Sequence, residues 1–248
     1  MLDQKSPEEI KILRQGGKIL GDILRQLARE TKVGQTGKNL NKLAEDLIHK
    51  AGGIPAFKNY HGFPAALCVS VNSTVVHGIP NDTPFAEGDL VGLDIGMKYR
   101  NLYTDTALTV GVARVSPESE RLLFATKKAL DIGIEQVKVG GYISDIGKAI
   151  EKFIKPYGYG IVRDLAGHGV GREIHEDPTV PNFNPGRKTE KMFAGLVIAI
   201  EPMIILGGDG QVTTHPNRWD VVSKDKTMTA HFEHTVAVTK DGPIIITE

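Results

Sequence analysis

The sequence predicts one compact α+β domain in which a helix–helix–strand–strand unit occurs twice. Three observations carry this. Ser6-Pro7-Glu8-Glu9 has the marks of a helix start: a serine cap, proline at the first helical position and acids in the first turn. Ser116-Pro117-Glu118 repeats that signal 110 residues later, and the helices that follow close on similar phrases, Thr31-Lys32-Val33-Gly34 and Val137-Lys138-Val139-Gly140. Finally, His61-Gly62 and Gly88-Asp89-Leu90-Val91-Gly92-Leu93-Asp94 recur at a constant offset of 107 as His168-Gly169 and Gly195-Leu196-Val197-Ile198-Ala199-Ile200-Glu201.

In the first helix Ile10, Leu13, Leu20, Leu24 and Leu27 form an apolar stripe at helical spacing. Gly16, Gly17 and Gly21 weaken it but allow close packing. The closing phrases are offset by 106, four residues less than the starts, so the matching helix of the second half is expected to be about one turn shorter. A further helix follows in each half, with Leu40, Leu43 and Leu47 in one and Ile146, Ala149 and Phe153 in the other. From Leu90 to Val110 two apolar runs flank Lys98-Tyr99-Arg100-Asn101, a hairpin connection. Centring the turn between Tyr99 and Arg100 sets Asp94 opposite Asp105. The second half repeats the theme with Glu201 after Leu196-Val197-Ile198-Ala199-Ile200 and Glu233 before Thr235-Val236-Ala237-Val238, as a second acid-bearing hairpin. Roughly residues 205–230 are extra in that copy. No Ser- or Pro-rich linker divides the halves, residues 6–111 and 116–248, so residues 1–248 are expected to form a single catalytic domain.

Composition excludes several classes. Lys plus Arg and Asp plus Glu each number 30 among 248 residues, so no global charge draws the chain to nucleic acid or an anionic membrane. The one cysteine, Cys68, cannot form an internal disulfide and suits a reducing compartment. No apolar run is long enough to span a bilayer, and the N-terminus lacks an apolar signal core. A cytoplasmic protein is expected, with no membrane partner and no sequence-specific nucleic acid.

The acids are the chemistry. Two carboxylates facing each other across a strand pair, with Cβ atoms about 5 Å apart, repel by about 3 kcal/mol at an effective dielectric near 20. Asp94 follows Leu90-Val91-Gly92-Leu93, a run that reads as buried, which argues against two solvated surface acids and for a cation or a shared proton between the carboxylates. Four such carboxylates, Asp94, Asp105, Glu201 and Glu233, would be neutralised by two divalent ions. His168 lies in Gly167-His168-Gly169-Val170-Gly171, where glycines let the backbone approach closely, and it is the candidate nitrogen donor. Oxygen donors with one imidazole and no thiolate suit Mn, Fe, Co or Zn.

Taken together, Tyr60-His61-Gly62-Phe63-Pro64, Val76-His77-Gly78-Ile79-Pro80, the Asp94/Asp105 pair, Gly167-His168-Gly169-Val170-Gly171-Arg172, His175-Glu176-Asp177-Pro178, Glu201-Pro202 and Phe232-Glu233-His234-Thr235 resemble the methionine aminopeptidase family, in its short type I form. These phrases span nearly the whole chain. The resemblance implies the pita-bread fold, two pseudo-symmetric αββ halves around an antiparallel sheet. It also implies removal of the N-terminal methionine from nascent polypeptides, with preference for small second residues. Asp94, Asp105, His168, Glu201 and Glu233 would be ligands to two divalent ions (Co, Mn, Fe, Zn or Ni), with Asp105 and Glu233 bridging. A monovalent cation near Asn72 is a further expectation. Glu201 would take the proton of the attacking water, His77 would lie near the scissile nitrogen, and His175 would hydrogen-bond a substrate carbonyl. Tyr60, Phe63, Cys68, Ile174 and Trp219 match the positions of the methionine pocket. The chain starts almost directly at the first helix, so it is expected to lack the zinc-binding extension of eukaryotic type I members and the helical insert of type II.

Two positions depart from the family pattern. Ile174 stands where an aromatic residue is usual, and His231, two before Glu233, stands where glutamine is expected. A remodelled pocket rim follows from Ile174. On a single strand, His231 and Glu233 would share a face. Monomer is the expected state. Ribosome contact through Lys11, Arg14, Lys18, Arg25 and Arg29 is weakened by the interleaved Glu8, Glu9, Asp22 and Glu30, which read as a solvated face. The rivals are a proline-specific peptidase of the same fold and a non-catalytic peptide-binding module.

Overall fold

The computed structural model describes residues 2–248. The first half runs α1 (Pro7–Glu30), α2 (Gly37–Lys50), β1 (Ile54–Pro55), β2 (Leu67–Val71), β3 (Thr74–Val76), β4 (Leu90–Tyr99) and β5 (Leu102–Gly111). The second runs α3 (Pro117–Ile134), α4 (Ile143–Ile154), β6 (Gly160–Ile161), β7 (Gly167–Gly169), β8 (Glu176–Val180), β9 (Val197–Ile200), β10 (Met203–Ile205), β11 (Val212–Thr214), β12 (Val221–Ser223), β13 (Thr229–His231), β14 (Glu233–Thr239) and β15 (Gly242–Ile245).

The helix starts are built as their residues dictate. Ser6 caps α1 through a reciprocal box with Glu9, and Ser116 caps α3 by accepting from the Ser119 amide. Helix α3 has 18 residues against 24 in α1, a shortfall closer to a turn and two-thirds than to the single turn expected. Leu13, Leu20, Leu24 and Leu27 are buried as the stripe required, with Ile10 at its margin. Gly17 and Gly21 serve close approach: a Cβ at either would overlap the main-chain carbonyl of Ile246 or Thr247, so the C-terminal segment lies directly on the helix. In the second helices the fully buried faces are Leu40, Ala44 and Ile48 in α2 and Ile143, Ile146, Ile150 and Ile154 in α4. Leu43, Leu47 and Phe153 sit at their edges.

The central sheet follows the order β1-β4-β5-β14-β9-β7-β8, with β2 also on β4 and β15 also on β14. The β4–β5 pair of the first half meets the β9–β14 pair of the second at β5–β14, where Glu233 pairs with Ala107. The core divides accordingly. Leu20, Leu27, Leu40, Leu67, Leu93 and Ile95 belong to one cluster, and Leu122, Leu130, Ile146, Ile198, Val236 and Val238 to the other. No helix among the described residues is long and apolar enough to cross a membrane.

Three details differ from the sequence reading. The β4–β5 turn centres between Arg100 and Asn101, one residue later than expected, and both have positive φ (48° and 67°). A two-residue loop of that hand matches the twist of the strands, and Asn tolerates it well. Asp94 therefore faces Ala107, and Asp105 faces Gly96. The two acids are diagonal neighbours on one face. In the second half β9 and β14 pair antiparallel but are not a hairpin, because residues 201–232 intervene. The extra segment is itself ordered: β11 and β12 pair and extend β3.

Candidate functional site

One row of the sheet runs from Asp94 through Ala107 to Glu233. Asp105 belongs to the next row, on the same face. Its strand is held by Thr235, whose Oγ1 accepts from the Asp105 amide (3.0 Å) and donates to the Asp105 carbonyl (2.7 Å). Reciprocally, Thr106 Oγ1 donates to the Glu233 carbonyl at 2.9 Å. Threonine hydroxyls thus stitch the junction, and each half fixes the main chain of the other half's acid. Glu201 comes alongside Glu233, one residue beyond the last β9–β14 pair of Ile200 with His234. Its own carbonyl accepts from Asn182 Nδ2 at 3.0 Å.

His168 is carried by β7 between Gly167 and Gly169, where added Cβ atoms would overlap the carbonyls of Ala199 and Asp177. Its Nδ1 donates to the Gly169 carbonyl (2.8 Å), which leaves the Nε2 lone pair directed at the acids, 3.6 Å from Glu201 Oε1 and 3.9 Å from Asp105 Oδ2. His175 is placed by a turn organised on Glu176, whose Oε1 accepts from the amides of Arg172 (2.6 Å) and Glu173 (2.9 Å). The same carboxylate pairs with Lys5, a residue only 3 % exposed. His175 Nδ1 meets the Tyr60 hydroxyl at 3.0 Å, and its ring lies 4.3 Å from that of His168. His77 follows β3 with φ 60°, a conformation a non-glycine residue rarely holds, and this turns its ring into the cavity.

The cavity is about 520 Å³. The structure brings Asp94, Asp105, His168, Glu201 and Glu233 to it together with His77, His175, Tyr60, Phe63, Cys68 and Trp219. Trp219 rides on the β11–β12 loop and meets Phe63 edge-on at 5.1 Å. Ile174 is the exception. It is not itself among the lining side chains but is buried in one cluster with Phe57, Phe63 and Cys68, on which Tyr60 and Trp219 also pack. Phe57, His61, Asp164, Leu165, Thr179 and Met203 line the cavity without having been singled out. His61 had a signal, as the repeat counterpart of His168, and Asp164 and Leu165 directly precede the Gly-His-Gly phrase. Phe57 had none.

The electrostatics call for a cation. Asp94, Asp105 and Glu233 each offer an oxygen within 4.8 Å of the others, and a ring nitrogen of His168 lies within the same distance of oxygens of Glu201 and Glu233. No lysine or arginine lines the cavity among the described residues. Asp94 Oδ1, Asp105 Oδ1 and Glu233 Oε1 are buried and have no hydrogen-bond partner. With protein groups alone, burial pushes Asp94 up to about 7 and Glu201 up to about 8. Asp105 and Glu233 move well above the usual carboxylate range through burial first and neighbouring acids second. Burial drives His168 down to about 3, with His175 adding to it. His175 is open to the cavity yet enclosed enough that desolvation, then His77 and His61, take it to about 4. Neutral imidazoles and oxygen donors left without partners make a fitting divalent-metal site.

The model of metallopeptidase family M24 matches residues 11–240. The chain belongs to that family. This M24 chain is 41% identical to the methionine aminopeptidase of Clostridium perfringens (strain 13 / Type A), over 100% of its own length and 99% of the relative's. The crystal structure of methionine aminopeptidase from Rickettsia prowazekii superposes with a TM-score of 0.97 at 35% identity, covering 100% of both chains. The prolidase from Pyrococcus furiosus gives a TM-score of 0.80 at 25% identity, with 99% of the M24 chain but 65% of the prolidase covered. The fold is the pita-bread fold that the resemblance implied and with which the internal repeat agrees.

Proposed function

We propose that this protein is a methionyl aminopeptidase, a metallo-exopeptidase that hydrolyses the first peptide bond of polypeptides beginning with methionine. The observation that carries the reading is the juxtaposition of four buried carboxylates and His168 with an apolar recess formed by Phe57, Phe63, Cys68 and Trp219. That recess is narrow and aromatic enough for a flexible thioether. Full-length relatives of that name support it. The prolidase likeness is shorter and weaker, so proline-specific cleavage becomes the control.

Asp94, Asp105, His168, Glu201 and Glu233 would hold two divalent ions. Such ions supply Lewis acidity that activates water at neutral pH and polarises a carbonyl. The chain's own groups do the rest. The acid basin attracts the free α-amino group of the substrate, which favours cleavage at the chain terminus. Glu201 accepts the proton of the attacking water. His175, oriented by Tyr60, donates to the developing oxyanion, and His77 stands by the departing nitrogen. The whole chain acts as one catalytic domain, because neither half alone holds all four acids. A monovalent cation near Asn72, action on nascent chains at the ribosome and a cytoplasmic setting belong to the same reading.

Release of free methionine from Met-Gly-Met-Met tests it, using metal-stripped protein with and without Co or Mn. Metal-dependent release of one residue, lost in Asp105→Asn, is expected. Cleavage of an X-Pro dipeptide without methionine release would replace the reading with the prolidase one.

A further inference from the structure

We infer that His231 is a positioning residue for Glu201, holding one carboxylate oxygen so that the other is presented to the metal site. The inference rests on the peptidase reading for its kinetic consequence but not for its geometry.

His231 closes β13 and pairs with Met203 of β10, and the chain then crosses to the central sheet at Phe232. His231 and Glu233 are therefore on different sheets, yet both side chains reach the acid cluster. Thr109 fixes the His231 main chain from both sides: its Oγ1 accepts from the His231 amide and donates to the His231 carbonyl, each at 2.9 Å. The imidazole has little freedom, its side chain being 4 % exposed.

The polar end of this ring has one evident purpose. His231 Nε2 is buried and has no completed hydrogen bond. Its near neighbour is Glu201 Oε2 at 3.4 Å, a few tenths of an ångström beyond a normal bond. The other oxygen, Oε1, lies 3.6 Å from His168 Nε2. Glu201 is thus bracketed by two imidazoles. An Nε2–H donated by His231 would occupy Oε2 and select Oε1 as the oxygen toward the ions, where a free carboxylate could rotate or exchange its oxygens. Groups that orient a ligand in this way affect metal affinity and activity by about 10–100-fold. Among the described residues no side-chain donor other than His231 lies beside Oε2.

A glutamine amide at this position could donate to the same oxygen, whereas leucine cannot donate at all. Asparagine carries the same amide one methylene shorter. Co(II) affinity should be measured by calorimetry on wild type, His231→Gln, His231→Leu and His231→Asn, alongside kcat and KM with Met-Gly-Met-Met. The expected result is a loss of about 10–100-fold in Co(II) affinity and in kcat for the Leu and Asn variants, with KM little changed and with Gln close to wild type. Thermal unfolding identifies any variant that fails to fold, and the Gln–Asn contrast then carries the test without Leu. Wild-type Co(II) affinity in both Leu and Asn variants, or a Gln variant as weak as Leu, would overturn the inference. If wild type binds Co(II) but releases no methionine, the peptidase reading fails while the affinities still decide the role of His231.

Discussion

Replacing Thr235 with valine removes one hydroxyl and little volume, from a side chain that is completely buried. The hydroxyl accepts from the Asp105 amide at 3.0 Å and donates to the Asp105 carbonyl at 2.7 Å. The row through Asp105 and Thr235 lies beyond the main-chain pairs that join β5 to β14, which are Glu233 with Ala107 and His234 with Thr106. Valine would leave both Asp105 groups without that partner. Each buried polar group so stranded costs about 1–3 kcal/mol, so Thr235→Val should lose about 2–4 kcal/mol after partial relaxation. Thr235→Ser keeps the hydroxyl and loses a methyl group, which costs about 1 kcal/mol. Urea unfolding of the three proteins measures this through the midpoint at constant m. Because the stitched residue is Asp105, Co(II) affinity should fall with stability in the valine variant and recover in the serine one. A valine variant within about 0.5 kcal/mol of wild type would show that the junction does not depend on the hydroxyl, and the reasoning would fail.

The remaining predictions are brief. Gly17→Ala gains up to about 1 kcal/mol of helix propensity, yet its Cβ overlaps the Ile246 carbonyl, so a lowered thermal midpoint is expected and a raised one would show that α1 can shift outward. Ile174→Phe should destabilise by about 1–3 kcal/mol through overpacking behind the cavity wall, with a larger effect on stability than on KM. His234 is held at about 4 by burial first, then by the charge of Lys127, against about 6.5 unfolded. The unfolded chain therefore binds the extra proton, and stability present above pH 6.5 is lost as pH falls toward 4, by at most about 3 kcal/mol. Stability curves of His234→Gln should be flatter over that interval, and an unchanged slope would remove His234 from the acid response.

Much of the fold was legible because two signals were local and repeated. Ser6-Pro7 and Ser116-Pro117 cap helices by contacts within four residues, and the apolar runs ending in Asp94 and Glu201 state both burial and its chemical exception. The register of β4 on β5 was legible only to within one turn residue. That choice depends on the φ values of Arg100 and Asn101, and composition alone does not specify them. The five candidate donors were readable as acids and a histidine in unusual surroundings. Phe57 and Met203 were not, since an apolar residue in a loop or short strand reads the same whether it lines a cavity or fills a core. Ile174, next to His175 in sequence, is buried among the residues that support the cavity wall, a distinction between lining and supporting that sequence alone does not make.

The threonine stitches have a consequence for how such a molecule could arise and be taken apart. Each half owns two carboxylates, but the main chain beneath Asp105 is secured by Thr235 and that beneath Glu233 by Thr106. A gene encoding one half would specify no finished site, and two identical copies meeting about an axis could exchange these contacts and assemble the four-acid basin between them. Fusion of such copies would then free each to diverge, His168 standing among the acids while its counterpart His61 lines the cavity. In the laboratory, co-expressed fragments cut near residues 112–115 should be inert apart and regain Co(II) binding only when they reassociate.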